Sequence, residues 1–266
     1  MFESIYKEKI QKLFRIVDKT GTDVPFVLNK VQERYLDEGT GRDVILKARQ
    51  QGFSSLILAL FTYDFLSVEN SLSVIVADIA NNASDLLDRV KFYLKAVEDK
   101  AGAKIPLKYN SKYELYNEQN HARYIIGTAD NRDFGRSKTI TNLHLSEFAF
   151  YPDAEKLFAG VMQAVVPSGR VIVETTANGF NYFKDFWDRC ERGETNFKPL
   201  FFKASDFYSQ EFLEDKKREL GRMYSQEYPE SSAEAFLSSG ETYFDKDALK
   251  YYMDNIKKPE RTSEYV

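Results

Sequence analysis

The sequence of 266 residues contains few of the side chains from which disulfides and metal centres are built. It has one cysteine, Cys190, and two histidines, His121 and His144. A single thiol cannot form an intrachain disulfide, and zinc sites need several thiolates or imidazoles. An intrachain disulfide, a cysteine-built zinc site and a histidine-rich metal site are therefore excluded.

Long apolar segments are also missing. The longest runs, such as LILALF and SVIVA, are much shorter than the roughly 20 residues that a membrane-spanning helix requires. The N-terminal segment MFESIYKEKIQKLF is charged and amphipathic, unlike the apolar core and small residues of a signal peptide. These features predict a cytosolic protein with no membrane segment.

An excess of positive charge is the third absence. The 37 Lys and Arg and 41 Asp and Glu residues give a net charge of −4, which argues against a uniformly basic protein that coats nucleic acid. Local contact with DNA remains open, because phosphate binding needs only a few well-placed cations. The hydrophobic fraction of 43% is ordinary for a globular protein, and the length fits one large α/β domain with a small appendage.

Short apolar runs alternate with longer amphipathic segments along the chain. Buried strands are predicted at DVILKA, SLSVIVA, ITNLHLSE, RVIVETT and KPLFFKA, with one or two more over residues 111–128. Helices are predicted at residues 54–68, from Asn82 or Ser84 to Gly102, at 153–165 and at 181–193. This alternation predicts a mostly parallel sheet covered by helices on both faces.

The composition changes at about Ser205. The following residues are charged, rich in tyrosine and without a clear buried strand. We therefore predict a core over residues 1–204 and a smaller helical subdomain over 205–266.

The segment KARQQGFSS, residues 47–55, has the form of a phosphate-binding loop between a strand and a helix. Such loops bind polyphosphate through backbone N–H groups, neutralise it with a cation and hold Mg²⁺ with a hydroxyl. Phe53 occupies the position of the usual lysine, which would directly follow Gly52. A plain strand–turn–helix with surface cations is the alternative interpretation.

Two other cations can replace the missing lysine. Lys47 lies five residues before Gly52 and has a flexible stem, and Arg49 lies in the middle of the loop. The serines Ser54 and Ser55 retain the hydroxyl position.

A second motif, TITNLHLSEFAF, is an apolar strand that ends in Glu147. Ligands bind at the carboxyl edge of parallel sheets, so Glu147 is expected beside the loop, where it would orient or deprotonate a water attacking the γ-phosphate. Taken alone, it would be read as an exposed strand end. Ser146 stands where most P-loop motors carry an aspartate for Mg²⁺.

A third motif, VIVETTANGF, ends a buried strand in Thr175, Thr176, Asn178 and Gly179. These polar groups are candidates for sensing the γ-phosphate and passing its state to a neighbouring element. The alternative is ordinary turn chemistry supplied by Asn178 and Gly179.

The ordered set FVLNKVQERYLDEG, KARQQGFSS, HLSEFAF, ETTANG and QEYPESSAEAFLSSG resembles the large terminase subunits of tailed bacteriophages, from about residue 25 to 245. The segments are similar to the family's adenine-contacting glutamine segment, deviant Walker A, Walker B, coupling motif and lid. The resemblance implies an α/β P-loop NTPase of the ASCE type with a small helical lid. It also implies an ATP-hydrolysing motor that drives double-stranded DNA into a procapsid.

The resemblance implies the following site residues. Gln32 would contact adenine, and the other nucleotide-binding residues would be Lys47, Arg49, Gln50, Gln51, Gly52, Phe53, Ser54 and Ser55. The catalytic residues would be Glu147, Arg49 and Arg136, and the ligands of Mg²⁺ would be Ser54 and Ser146. The coupling residues would be Thr175, Thr176, Asn178 and Gly179. Arg132 and Arg136 lie where related motors carry an arginine finger that reaches a neighbouring subunit, and a surface arginine is the alternative for Arg136.

ATP and Mg²⁺ are the implied cofactors. The implied partners are double-stranded DNA, the portal protein and procapsid, the small terminase subunit and further copies of the chain in a ring, all in the host cytoplasm. Full terminases continue into an RNase H-like nuclease, and we expect no such domain and no nuclease activity within these 266 residues.

Two other functions are consistent with the same residues. One is another P-loop DNA translocase or helicase core, which would need a second motor domain. The other is a nucleotide-binding scaffold that does not hydrolyse ATP, which Phe53 and Ser146 make conceivable.

Overall fold

The computed structural model describes residues 4–131 and 138–238, together with Tyr251, Tyr252 and Asn255. The strands are β1 (Arg15–Val17), β2 (Asp23–Pro25), β3 (Arg42–Lys47), β4 (Leu72–Ala77), β5 (Leu107–Asn110), β6 (Glu114–Asn117), β7 (Arg123–Thr128), β8 (Ile140–Ser146), β9 (Val165–Thr175) and β10 (Lys198–Phe202). The helices are α1 (Ser4–Leu13), α2 (Lys30–Glu38), α3 (Phe53–Ser67), α4 (Ala80–Ala101), α5 (Ala154–Met162), α6 (Tyr182–Glu191), α7 (Gln210–Leu220), α8 (Tyr224–Glu227) and α9 (Ser232–Ser238).

Eight strands form one sheet in the order β10-β3-β9-β8-β4-β7-β6-β5. The first six are mutually parallel, and β6 and β5 extend the sheet in antiparallel fashion. The prediction of a mostly parallel sheet is confirmed. Because β9 lies between β3 and β8, one strand separates the strand that ends at Lys47 from the strand that ends before Glu147.

Both faces of the sheet are covered, which explains why its central strands are continuous apolar runs. Alternate residues of β3 point to opposite faces: Ile45 packs with α1 to α4, whereas Val44 and Leu46 pack with α5 and α6. The result is a three-layer α/β/α arrangement whose parallel strands all end at one edge.

Helix α3 begins one residue before its predicted start and continues to Ser67. The predicted start of α4 at Asn82 or Ser84 is wrong, since the helix begins at Ala80. Its predicted end is confirmed, because the helix stops at Ala101 and Gly102 adopts the left-handed conformation. The strands β1, β2 and β5 were not predicted, because they are only three or four residues long.

The described residues that follow Ser205 are helical, as predicted. Among their contacts with the core, Leu213 and Tyr228 cluster with Ala48 of the loop, and Phe236 packs with the residues of α6. The boundary at residue 204 stays a prediction. No described helix is both long and apolar enough to cross a membrane.

Candidate functional site

A cavity of about 980 Å³ opens at the carboxyl edge of the parallel strands, where Lys47 ends β3 and Glu147 follows β8. This is the expected ligand position in a doubly wound sheet. The lining residues are Ile16, Val17, Lys19, Lys47, Arg49 to Ser55, Asn82, Asp85, Asp88, Arg89, Phe92, Tyr93 and Glu147. The phosphate-loop residues predicted from the sequence therefore lie together on one wall.

The loop owes its shape to Gly52 and to two side chains of the α2 cap. Gly52 has a φ of +83° and directly precedes α3, whose first backbone N–H groups have no acceptor within the helix. A Cβ added there would lie 2.8 Å from Gln32 Nε2. Gln32 donates to the carbonyl of Gly52 at 2.8 Å, and Asn29 donates to the carbonyl of Gln51 at 3.1 Å.

Gln32 uses its amide inside the protein. Besides donating to Gly52, it accepts a hydrogen bond from the backbone N–H of Asn29 at 3.0 Å, which completes the capping box of α2. Its side chain is buried and does not line the cavity. The structure thus gives Gln32 a loop-supporting position, and its contact with adenine stays a prediction.

The ring of Phe53 explains why the usual lysine is missing at this position. Its centroid lies 4.6 Å from that of Phe202 and 6.0 Å from that of Tyr35, and the residue is buried. The side chain at position 53 therefore points into the core, away from any loop-bound phosphate.

Lys47 supplies a buried cation beside the loop instead. Its ammonium lies 3.0 Å from Glu147 Oε1 and 3.2 Å from Glu174 Oε2, with only 6% of its side chain exposed. Burial alone would lower the pKa of Lys47, but the two carboxylates raise it by more, so the pKa lies above its ordinary value. Lys47 is charged throughout the physiological range.

Glu147 adopts the left-handed conformation, with a φ of +55° and a ψ of +45°, directly after β8. This is rare for residues other than glycine and is found at functional sites. Its second oxygen accepts from the N–H of Thr176 at 3.3 Å and lies 3.4 Å from the hydroxyl oxygen of Thr175. Its carboxylate lines the cavity and is 31% exposed.

The predicted coupling motif contacts the turn after Glu147. Thr175 donates to the carbonyl of Thr176 at 2.7 Å and accepts from the N–H of Ala149 at 3.2 Å. Asn178 donates to the carbonyl of Ala149 at 3.2 Å, and Gly179 has a φ of +67°. The motif is therefore bonded to the segment that holds Glu147.

Glu174 is a site residue that the motif analysis missed. It is fully buried on β9, where Ser54 donates to its Oε1 at 2.6 Å and Ser146 donates to the same oxygen at 2.9 Å. Burial would raise its pKa, but the Lys47 ammonium and its hydrogen-bonding neighbours outweigh burial and hold the pKa well below its ordinary value. A charged residue inside the apolar run VIVETT was the signal, since buried charges are normally paired.

Arg49 and Gln51 connect the loop to the segment after β10. The Arg49 guanidinium lies 2.8 Å from Glu227 Oε2, and its backbone N–H donates to the carbonyl of Glu227 at 3.0 Å. Tyr208 donates its hydroxyl to the carbonyl of Arg49 at 2.7 Å, and Gln51 donates to the carbonyl of Lys203 at 2.9 Å.

Residues of α4 also line the cavity and were not predicted from the sequence. Arg89 approaches Ser55 Oγ at 3.4 Å, and Asp85 and Asp88 lie beside it in the cavity lining. Arg132 and Arg136 lie outside the described residues, so the predicted arginine finger has no position here.

No protein-family model matches the sequence. Among solved structures, the large terminase ATPase domain of Thermus phage P74-26 has a TM-score of 0.61 at 17% identity, over 76% of this chain and 93% of that one. The large terminase of bacteriophage HK97 has a TM-score of 0.66 at 15% identity, over 84% of this chain and 52% of that one. The present chain has the fold of a phage large-terminase ATPase domain.

A third large terminase, from a thermophilic bacteriophage and in complex with ATP-γ-S, has a TM-score of 0.52 at 14% identity, over 73% of this chain and 48% of that one. The resemblance inferred from the sequence motifs is thus confirmed at the level of the terminase ATPase fold. This chain spans about half the length of the HK97 terminase and of the ATP-γ-S complex.

Proposed function

We propose that this protein is an ATP-hydrolysing motor domain of a phage large terminase, which drives double-stranded DNA into a procapsid. The observation that carries the proposal is the convergence of Lys47, Ser54 and Glu147 around one cavity at the carboxyl edge of this sheet. A cation, a hydroxyl at a helix start and a carboxylate are the groups that phosphoryl transfer to water needs.

The loop would bind ATP through the backbone N–H groups at the start of α3 and the ammonium of Lys47. Lys47 has to move from its two carboxylates toward the phosphates, and its flexible stem permits that movement. Mg²⁺, when bound with the nucleotide, would neutralise charge on the β- and γ-phosphates. Ser54, in the first turn of α3, would hold it with its hydroxyl.

Glu147 would act as the catalytic carboxylate. Once Lys47 turns to the phosphates, Glu147 Oε1 is released from its ion pair, while Oε2 keeps its contacts with Thr175 and Thr176. The free oxygen can then orient an attacking water and accept its proton. Through the same contacts, a change at Glu147 would reach the coupling residues.

The remaining assignments belong to the assembled motor. We propose that Arg49 contacts the γ-phosphate after leaving Glu227, and that Arg136 reaches the nucleotide of a neighbouring copy in a ring. The partners would be double-stranded DNA, the portal protein and procapsid, and the small terminase subunit, in the host cytoplasm.

One observation favours a second candidate, a nucleotide-binding scaffold without hydrolysis. Both carboxylates nearest the loop, Glu147 and Glu174, form ion pairs with the single ammonium of Lys47. If that arrangement persisted with nucleotide bound, Glu147 could not accept a proton.

The deciding experiment measures ATP binding and phosphate release by the purified chain, alone and with double-stranded DNA and procapsids. We expect Mg²⁺-dependent ATP binding by the chain, and turnover that rises when DNA and procapsids are added. Binding without turnover under both conditions would favour the scaffold, and no nucleotide binding would refute both candidates.

A further inference from the structure

Ser146 and Glu174 lie directly opposite each other in the register of β8 and β9. Side chains at matched positions of neighbouring strands point to the same face of a sheet. The hydroxyl of Ser146 accordingly meets the carboxylate of Glu174 at 2.9 Å. A carboxylate missing from the end of β8 is thus present one strand away.

Glu174 also reaches the hydroxyl at the start of α3. Ser54 Oγ donates to Glu174 Oε1 at 2.6 Å, so the single hydroxyl proton of Ser54 is committed to the carboxylate. The lone pairs of Ser54 Oγ are then available to a cation. This is how an outer carboxylate orients and strengthens a metal ligand.

The donor set suits Mg²⁺ held together with nucleotide. Within residues 4–131 and 138–238, no group of three or more His, Cys, Asp or Glu is arranged to hold a metal ion. Mg²⁺ usually takes one or two protein oxygens and completes its shell with phosphates and water. The Lys47 ammonium lies 3.2 Å from Glu174 Oε2, a buried carboxylate oxygen beside the loop.

We propose that Glu174 supplies, from the neighbouring strand, the carboxylate that position 146 lacks, and that it positions Ser54 for the Mg²⁺ of bound Mg²⁺–ATP. The inference rests on the proposed function and adds a residue to it. Pairing with Lys47 does not by itself explain Glu174, because Glu147 already neutralises that ammonium at 3.0 Å.

The test compares nucleotide affinity with and without the metal. For each variant, isothermal titration calorimetry gives the Kd for ATP-γ-S in EDTA and in saturating Mg²⁺, and the ratio of the two is the Mg²⁺ enhancement. Glu174→Gln keeps the shape but not the charge, and we expect it to lose about tenfold or more of this enhancement, as for other outer-shell partners.

Two further variants separate positioning from simple structural support. Ser146→Asp combined with Glu174→Gln returns a carboxylate to β8 and should restore most of the Mg²⁺ enhancement. Because Glu174 acts through Ser54, Ser54→Ala combined with Glu174→Gln should lose no more enhancement than Ser54→Ala alone. Asp99→Asn, which changes an exposed carboxylate paired with Lys95, should keep the enhancement.

An enhancement within twofold of wild type in folded Glu174→Gln would overturn this inference and leave the proposed function standing. A folded Ser146→Asp/Glu174→Gln variant without restored enhancement would also overturn it. Failure of the wild-type chain to bind ATP-γ-S would overturn the proposed function and the inference together. Circular dichroism shows whether each variant folds. If Glu174→Gln does not fold, Glu174→Asp replaces it, because this change shortens the side chain by one methylene. An enhancement within twofold of wild type in Glu174→Asp would then overturn the inference.

Discussion

Lys47 and Glu147 form an ion pair of 3.0 Å between the ends of β3 and β8, two strands that do not touch because β9 lies between them. The pair joins the cation proposed for phosphate binding to the carboxylate proposed for catalysis. Both groups must therefore separate before either can act on ATP.

Replacing Lys47 should remove both phosphate binding and stability. We expect Lys47→Ala to lower ATP turnover more than tenfold, equivalent to about 1.4 kcal/mol in the barrier. It should also lower the free energy of unfolding by about 3 kcal/mol, because a buried carboxylate loses its partner. Phosphate release and urea unfolding measure these effects, with Lys95→Ala, an exposed lysine paired with Asp99, as the control. Turnover above a tenth of wild type would indicate that Arg49, and not Lys47, neutralises the phosphates.

Moving the lysine to its usual place should not rescue that variant. Position 53 points between Phe202 and Tyr35, so Phe53→Lys would bury an unpaired ammonium. Phe53→Ala alone should cost about 3–5 kcal/mol of stability. We expect Lys47→Ala/Phe53→Lys to be less stable than Lys47→Ala in thermal unfolding and equally inactive. Recovery of turnover would show that this segment can rearrange to the common Walker A geometry.

Glu147→Gln should separate binding from hydrolysis. The amide keeps the size of the side chain but cannot accept a proton from water. We expect loss of phosphate release and a Kd for ATP-γ-S no weaker than that of wild type, because Lys47 then has one carboxylate fewer to leave. Normal turnover would instead identify Glu147 as a non-catalytic strand end.

The exposed pair between Arg49 and Glu227 should matter for nucleotide binding more than for folding. With 60% of the Arg49 side chain exposed, we expect Glu227→Gln to change unfolding free energy by less than about 1 kcal/mol. It should lower the KM for ATP, because Arg49 no longer has to leave a carboxylate. Glu230→Gln, which changes a contact with Ser205, is the matched control. An unchanged KM would indicate that Arg49 does not contact the nucleotide.

Acid should destabilise the nucleotide-free protein partly through Glu174. Its pKa in the folded protein lies below the ordinary value of 4.5, so the unfolded chain binds this proton more readily. The resulting stability is present above about pH 4.5 and is lost as the pH falls. In EDTA, we expect urea unfolding of Glu174→Gln to depend less on pH below 4.5 than unfolding of wild type. An identical pH dependence would contradict this prediction.

The sequence predicted the sheet and the loop well, because buried parallel strands are continuous apolar runs and glycine marks the turn before α3. Glu174 was missed because it lies within an apolar run. The strand pattern alone does not show which side chains pair with a charged residue there. Those partners, Lys47, Ser54 and Ser146, come from three other elements. Likewise, the amide contacts of Gln32 depend on how α2 packs against the loop. The periodicity of a helix in the sequence does not predict that packing.

The backbone of Arg49 is bonded to the helical segment on both sides, its N–H to the carbonyl of Glu227 and its carbonyl to the hydroxyl of Tyr208. A peptide fixed at both ends cannot rotate without dragging the groups that hold it. Any reshaping of the loop when a phosphate leaves would therefore be transmitted as displacement of α7 and α8. The loop and these helices would then move together, and the movement would begin at the end of β3.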